Sequence, residues 1–335
     1  MRLVVPDFYE KFRCVASACP DTCCAGWEID LDESTLKKYA SVRGTLGEKL
    51  RKSISDGHFV LDAAERCPFL DENNLCEIQR NLGEDFLSDI CRMHPRFVDV
   101  FGDIREEGPG LCCGESARLL LGSNEPLRFV ELSNGDAPEI LDDESLEFRD
   151  RVFSFRTEIL SRLSDRTLPL STRLSETLCL AATAAGETVR LSELSPERIW
   201  EGVWNVLSEC ESIGEPWDRA KSRAMRFENP RTLFSETDGE RLVAYQIFRH
   251  FAKSLYDGDM LSKVKFAVFF WLLLRRFGGA FAPGDSGMLQ KGNAVALFSK
   301  QWEYSEENMA ELSKRFASDA FFSTGALIAL VREPG

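Results

Sequence analysis

Long hydrophobic runs, excess basic charge and histidine are what this 335-residue chain has little of. Its most apolar stretch, Phe266 to Leu274, is bounded by Lys265 and Arg275-Arg276. It falls far short of the roughly 20 apolar residues that span a bilayer, so it predicts a buried helix and no membrane partner. The formal net charge is −14, shared by both halves of the chain. Phosphate backbones would be repelled, which excludes nucleic acid as a partner; an acidic surface favours a basic ligand such as a lysine-bearing protein, or serves solubility alone. The amino terminus reaches Pro6, Asp7 and Glu10 before any apolar stretch of signal-peptide length, so a cytoplasmic location is expected. No fixed-period repeat is present, and no strand followed by a glycine-rich turn and a ribose-binding acid marks a doubly wound nucleotide fold.

Thiols are what the chain has in surplus. Nine of its eleven cysteines fall within the first 113 residues: Cys14, Cys19, Cys23, Cys24, Cys67, Cys76, Cys91, Cys112 and Cys113. In a reducing compartment structural disulfides rarely persist, and clustered thiols are more often metal ligands or redox groups. With only three histidines in the chain, the sulfur excess points to an iron–sulfur cluster, with zinc as the alternative and a redox or packing role behind both. Short loops let the sulfurs of Cys14, Cys19 and Cys23 converge. Pro20 suits the first turn of a helix, which would put Cys19 at its cap and Cys23 one turn on, where the helix end favours thiolate. Cys23 and Cys24 either bind different irons or divide binding from packing. Cys179 and Cys210, isolated on apolar helical faces, read as packed side chains.

The fold class expected is mainly α, with an irregular cysteine-rich metal- or cluster-binding domain (residues 1–122) packed on a helical domain (123–335). The first part is broken by Pro20, Gly26, Gly57, Pro68, Gly83, Pro95 and Gly108-Pro109-Gly110 and needs a staple, which a bound metal centre supplies. Within it, Leu36 to Leu50 suggests one helix and Leu82 to Ile90 another, leading into Cys91. The second part carries apolar residues at helical spacing over Leu146–Leu163, Leu174–Ala185, Ile199–Leu207, Leu242–Leu255 and the run from Phe266, then segments from Glu306 and Phe321, with little strand. The glycines of Phe277 to Gly287 read as turns.

Several motifs carry a family likeness: Phe12-Arg-Cys14, Cys19-Pro-Asp21-Thr-Cys23-Cys24-Ala-Gly26-Trp27, Cys67-Pro-Phe-Leu70, Leu75-Cys76, Gly83-Glu84, Cys91 to Pro95-Arg96, and Cys113 before Glu115-Ser-Ala-Arg. In these the chain resembles the flagellin lysine-N-methylase family, part of a wider group of zinc- or iron-chelating cysteine-rich domains. The resemblance implies an enzyme that transfers methyl groups from S-adenosylmethionine to lysine ε-amino groups of flagellin, with an iron–sulfur cluster (4Fe-4S) in the cysteine-rich part. It implies the ligand set Cys14, Cys19, Cys23, Cys24, Cys67, Cys76, Cys91 and Cys113. Cys113 is preferred to Cys112 because Glu115-Ser-Ala-Arg follows it in register. His94 stands where the family commonly has an aromatic residue and is expected as a packed ring rather than a ligand. A donor pocket outside a class I fold would let Trp27 stack on adenine. Asp21 and Glu28 could orient or deprotonate the lysine, or be plain surface or capping carboxylates. The spacing of Cys14, Cys19 and Cys23 is not that of radical methyl-donor enzymes. A metal-handling or electron-transfer module without methyltransferase activity, and a helical scaffold with a purely structural metal, remain the competing readings.

Overall fold

The computed structural model describes residues 1–19, 21–133, 136–226, 233–278, 281 and 287–333. Pro20 and most of the glycine loop after Phe277 lie outside them, so the turn readings there are not addressed. The chain forms two compact units, one of Met1–Lys11 with Val98–Gly335 and one of Phe12–Phe97. Residues 98–122, read above with the cysteine-rich part, therefore cluster with the helical unit, because strands and a helix within them pair and pack there.

The larger unit starts at β1 (Arg2–Pro6) and resumes at β4 (Arg96–Phe101), β5 (Ile104–Pro109) and β6 (Phe129–Ser133), while β2 (Ile54–Ser55) and β3 (His58–Phe59) form a small ribbon in the other unit. The sheet order is β4-β5-β1-β6. Strand β1 runs parallel to β5, with Val4 opposite Glu106, and antiparallel to β6, with Arg2 opposite Ser133. The β4–β5 turn passes through Gly102 at φ +70°, the left-handed region that glycine occupies without penalty.

Around this sheet the chain is helical, in agreement with the mainly α expectation. Helices α1 (Glu33–Ser41), α2 (Gly44–Lys52), α3 (Glu77–Leu82) and α4 (Asp89–Met93) belong to the Phe12–Phe97 unit. The larger unit holds α5 (Gly114–Leu121), α6 (Asp143–Leu163), α7 (Leu170–Ala184), α8 (Pro196–Glu209), α9 (Glu215–Ala224), α10 (Glu236–His250), α11 (Ser254–Asp257), α12 (Met260–Phe277), α13 (Met288–Glu303), α14 (Glu306–Ser318) and α15 (Thr324–Arg332). The apolar run proves to be the centre of α12, buried on all sides from Phe266 to Leu274. Phe269 meets Phe316 and Phe322 edge-on, and Trp217 stacks on Phe277 at 5.3 Å while Phe298 and Trp302 meet it edge-on, geometries the ring quadrupole favours. None of the described helices is long and apolar enough to cross a membrane.

Buried charge in this unit is paired. Arg156 on α6 reaches Glu106 of β5, with Nη1 at 2.8 Å, and Arg173 and Arg166 both bind Glu240. Glu303, the last residue of α13, has no exposed side-chain surface; His250 Nε2 lies 2.8 Å away, Arg249 Nε 3.1 Å and Gln246 Nε2 3.2 Å. An ionised carboxylate only accepts, so the His250 proton sits on Nε2. Burial pushes His250 down to about 4, only partly offset by the hydrogen bond and charge of Glu303.

Candidate metal centre

The Phe12–Phe97 unit is too small to build a large core. Its apolar centre is Ile29, Leu31, Tyr39, Leu50, Phe59, Phe69 and Ile78 together with the Cys67 thiol, and Cys24, Cys76 and Cys91 pack against it. Sulfur thus lies at the heart of the unit rather than on its margin. Local hydrogen bonds place each cysteine-bearing segment. The Asp71 carboxylate accepts from Asn73 N and Leu75 N at 2.8 and 2.9 Å, closing the tight loop between Cys67 and Cys76. Leu70 then bridges Cys76 in antiparallel pairing. Cys67 N donates to Cys24 O at 2.8 Å, next to the Ala25–Arg66 bridge, so these strands of loop zip together.

Cys91 is set by α1 and α4. Asp32 caps α1 through Thr35 N at 2.9 Å, and its other oxygen accepts from Asp89 N at 3.0 Å in the first turn of α4. Those bonds, led by the hydroxyls of Thr35 and Ser34, hold the Asp32 carboxyl well below the usual carboxylate range. Ser88 caps α4 by accepting from Cys91 N at 3.4 Å. Tyr39 donates its hydroxyl to Phe86 O at 2.8 Å and Lys38 its ammonium to Asp85 O at the same distance, so α1 pins the whole approach to Cys91.

The thiols fall into two interacting groups. Cys19 feels the charge of Cys14 and Cys23, and Cys67 that of Cys76 and Cys91. Cys91 also responds weakly to Cys23. Burial pushes Cys67 up to about 12 and raises Cys91 and Cys19 as well, with thiol–thiol repulsion acting in the same direction. All eleven cysteines stand outside disulfide bonds. Among the described residues no three cysteine sulfurs lie within 4.8 Å of one another. Thiolate ligands suit zinc and iron alike, so the concentration of thiols in this unit fits a zinc- or iron-binding centre on its chemistry.

Other expected site residues are placed differently. The helix starting at Cys19 is not formed: a 3₁₀ turn over Ala16–Ala18 ends at Cys19, and residues 21–24 form bends and turns. Cys23 therefore does not sit one helical turn beyond Cys19. Asp21 accepts from Thr22 N at 2.8 Å and Thr22 Oγ1 from Cys24 N at 3.1 Å, local bonds that compete with a helix. Trp27 is half-buried, its indole N–H donating to Cys23 O at 2.6 Å and its ring stacked on His94 with centroids 5.3 Å apart. One face of the ring expected to receive adenine is thus covered, and His94 is a packed ring. Glu28 is exposed, with Oε1 2.9 Å from His58 Nδ1, which also lies 3.2 Å from Asp30 Oδ1. Sequence reasoning missed this trio. Its signal was the alternation Glu28-Ile29-Asp30-Leu31, which backbone pairing of Asp30 with His58 turns into one shared face.

Cys112 and Cys113 belong to the helical unit. Cys112 is buried, its thiol pushed up to about 11 by desolvation, with the Tyr304 hydroxyl as its side-chain hydrogen-bond partner. Cys113 occupies the N-cap position of α5 and is half-buried. Cys179 is half-buried, and Cys210 closes the end of α8 with its thiol raised to about 11 by burial.

Residues 13–120 match a protein-family model described as "putative zinc- or iron-chelating domain". The chain is 31% identical over 140 residues to the lysine-N-methylases of Salmonella typhimurium (strain LT2) and Salmonella choleraesuis, alignments covering 38% of this chain and 34% of each relative. It is 34% identical over 146 residues to the flagellar biosynthetic protein FliU of Salmonella muenchen, covering 41% of this chain and 86% of that protein. The chain thus spans about a third of the length of the two lysine-N-methylases it matches. No solved structure matches it.

Proposed function

Because the chain belongs to the flagellin lysine-N-methylase family, with its cysteine-rich zinc- or iron-chelating domain, we propose that it methylates lysine ε-amino groups of flagellin from S-adenosylmethionine. An iron–sulfur cluster of the 4Fe-4S type, bound by cysteines of the Phe12–Phe97 unit, completes the proposal. The observation that carries it is the gathering of Cys24, Cys67, Cys76 and Cys91 at the apolar centre of that unit. Cys14, Cys19 and Cys23, in the same unit, complete the proposed ligand set there, and Cys113, the eighth ligand the resemblance implies, belongs to the helical unit. A bound cluster would supply a redox-active, Lewis-acidic centre, and the donor an activated methyl group on a sulfonium.

What the chain itself contributes is binding and proton handling. Lysine reacts only as the neutral amine, and a carboxylate near it takes the displaced proton. Asp21 and Glu28 are the candidates for that role, Glu28 facing His58. Trp27 is the proposed stacking partner for the adenine ring, by the face that His94 does not cover. The acidic surface favours encounter with a lysine-bearing partner more than the chemistry.

Anaerobic purification with iron, sulfide and absorption analysis tests the metal reading. A brown protein with stoichiometric iron and sulfide is expected, and zinc alone would reject the cluster. Serine replacement of Cys23, Cys67, Cys76 or Cys91 should lower iron content, and replacement of Cys112, Cys179 or Cys210 should leave it unchanged. Calorimetry with S-adenosylmethionine and mass spectrometry of flagellin test the activity. The absence of both donor binding and a methyl adduct on lysine would sink it. The solvent exposure of Cys14 and Cys23 favours the second reading, a centre that exchanges metal or electrons without methyl transfer.

A further inference from the structure

Cys23 is exposed and sits in a stretch, residues 21–28, that contains no helix and only an isolated bridge at Ala25. Cys91 sits in a short helix anchored to α1 through Asp32. The first segment is irregular and the second helical, yet a shared centre requires their sulfurs to be held together.

A physical link between them is visible. The Cys23 carbonyl accepts from the Trp27 indole N–H at 2.6 Å. The indole lies on the His94 ring at an interplanar angle of 29°. His94 in turn closes α4, its N–H donating to Ile90 O at 2.9 Å, three residues beyond Cys91. A rigid bicyclic ring spanning a backbone carbonyl on one side and a stacked imidazole on the other loses little conformational entropy in doing so, and aromatic pairs add attraction beyond the area they bury. From this arrangement we infer that Trp27 and His94 form a strut that positions the Cys23 loop against α4, so that Cys23 and Cys91 serve one centre. Both are positioning residues. The inference rests on the proposed metal centre for its purpose, but its geometry can be tested without metal.

The test uses the reduced, metal-free full chain treated with a short bis-thiol alkylating reagent, dibromobimane, followed by quantification of cross-linked peptides by mass spectrometry. Cys23–Cys91 links should fall at least fivefold in W27A and H94A, recover to within twofold in H94F, which restores a stackable ring, and be intermediate in W27F, which keeps the ring and loses the N–H. Cys67–Cys76 links should stay constant throughout. An unchanged Cys23–Cys91 yield in W27A and H94A overturns the strut. So does a parallel fall of both links, which would make the ring pair a general packing element. Should the alanine variants fail to fold, W27F and H94F still decide, because loss of the N–H alone must lower the Cys23–Cys91 yield selectively. Iron and sulfide content after reconstitution is read separately. A strut that governs cross-linking in a chain that takes up no iron would remove the cluster and leave the strut standing.

Discussion

Glu303→Gln isolates one buried carboxylate whose loss should be felt throughout the helical unit. The side chain is wholly buried, and the Arg249 guanidinium beside it is only 7% exposed. Deleting the negative charge leaves a buried cation without its main counter-charge, a change that costs about 3–5 kcal/mol in comparable settings. The amide oxygen can still accept from His250 Nε2 and Arg249 Nε, but the amide NH2 then faces the Gln246 Nε2 donor, replacing that bond by a clash of donors. Tyr304 and Tyr245 stay near Arg249 and offset part of this, so the lower end, about 3 kcal/mol, is expected. Urea unfolding followed by tryptophan fluorescence reads the right unit, since Trp27 alone of the six tryptophans lies outside it. A midpoint change equivalent to less than about 1 kcal/mol would refute the reasoning, because it would mean that water or another carboxylate replaces Glu303 at little cost.

His250→Gln should flatten the acid side of the stability curve: folded His250 stays neutral down to about 4 whereas the unfolded ring protonates near 6.5, so between these values the unfolded chain binds the extra proton and stability falls with acidification. The slope attributable to this group is at most about 1.4 kcal/mol per pH unit, checked by unfolding at stepped pH. Asp32→Ala should cost about 1–2 kcal/mol through loss of the α1 cap, and faster alkylation of Cys91 should accompany it as α4 is released. Gly325→Ala should cost about 1–3 kcal/mol in thermal denaturation, since a Cβ there would lie 2.0 Å from the Arg190 carbonyl oxygen, which belongs to the backbone and cannot rotate away.

The long helices were legible because their apolar residues recur at helical spacing: the pattern from Leu146 to Leu163 became α6 (Asp143–Leu163), and that from Ile199 to Leu207 became α8 behind the Ser195 cap and Pro196. The sheet was not. Strand β1 is four apolar or small residues beside charge, and β5 reads Ile-Arg-Glu-Glu-Gly-Pro, which looks like a surface loop until Arg156, 50 positions away, neutralises Glu106. The span from Leu36 to Leu50 was expected as one helix and is two, because Val42 turns extended and Gly44 starts again at φ +78°. The thiol surplus announced a metal site, but the pairing of sulfurs depends on loop closures by Asp71, Asp32 and Ser88, whose partners no periodicity reveals. The expected helix after Cys19 failed for a related reason: Asp21 and Thr22 satisfy the local backbone themselves.

Strand β1 is made first but finds its neighbours late. Its partners β5 and β6 lie about 100 or more residues downstream, a delay on the order of 5–20 s at ordinary rates of protein synthesis. By the end of that interval the residues between Lys11 and Val98 have been synthesised, while the helices from α6 onward have not. The proposed metal centre thus has every cysteine of the Phe12–Phe97 unit in hand before α6 to α15 are translated, which makes loading during synthesis a natural order of assembly for it.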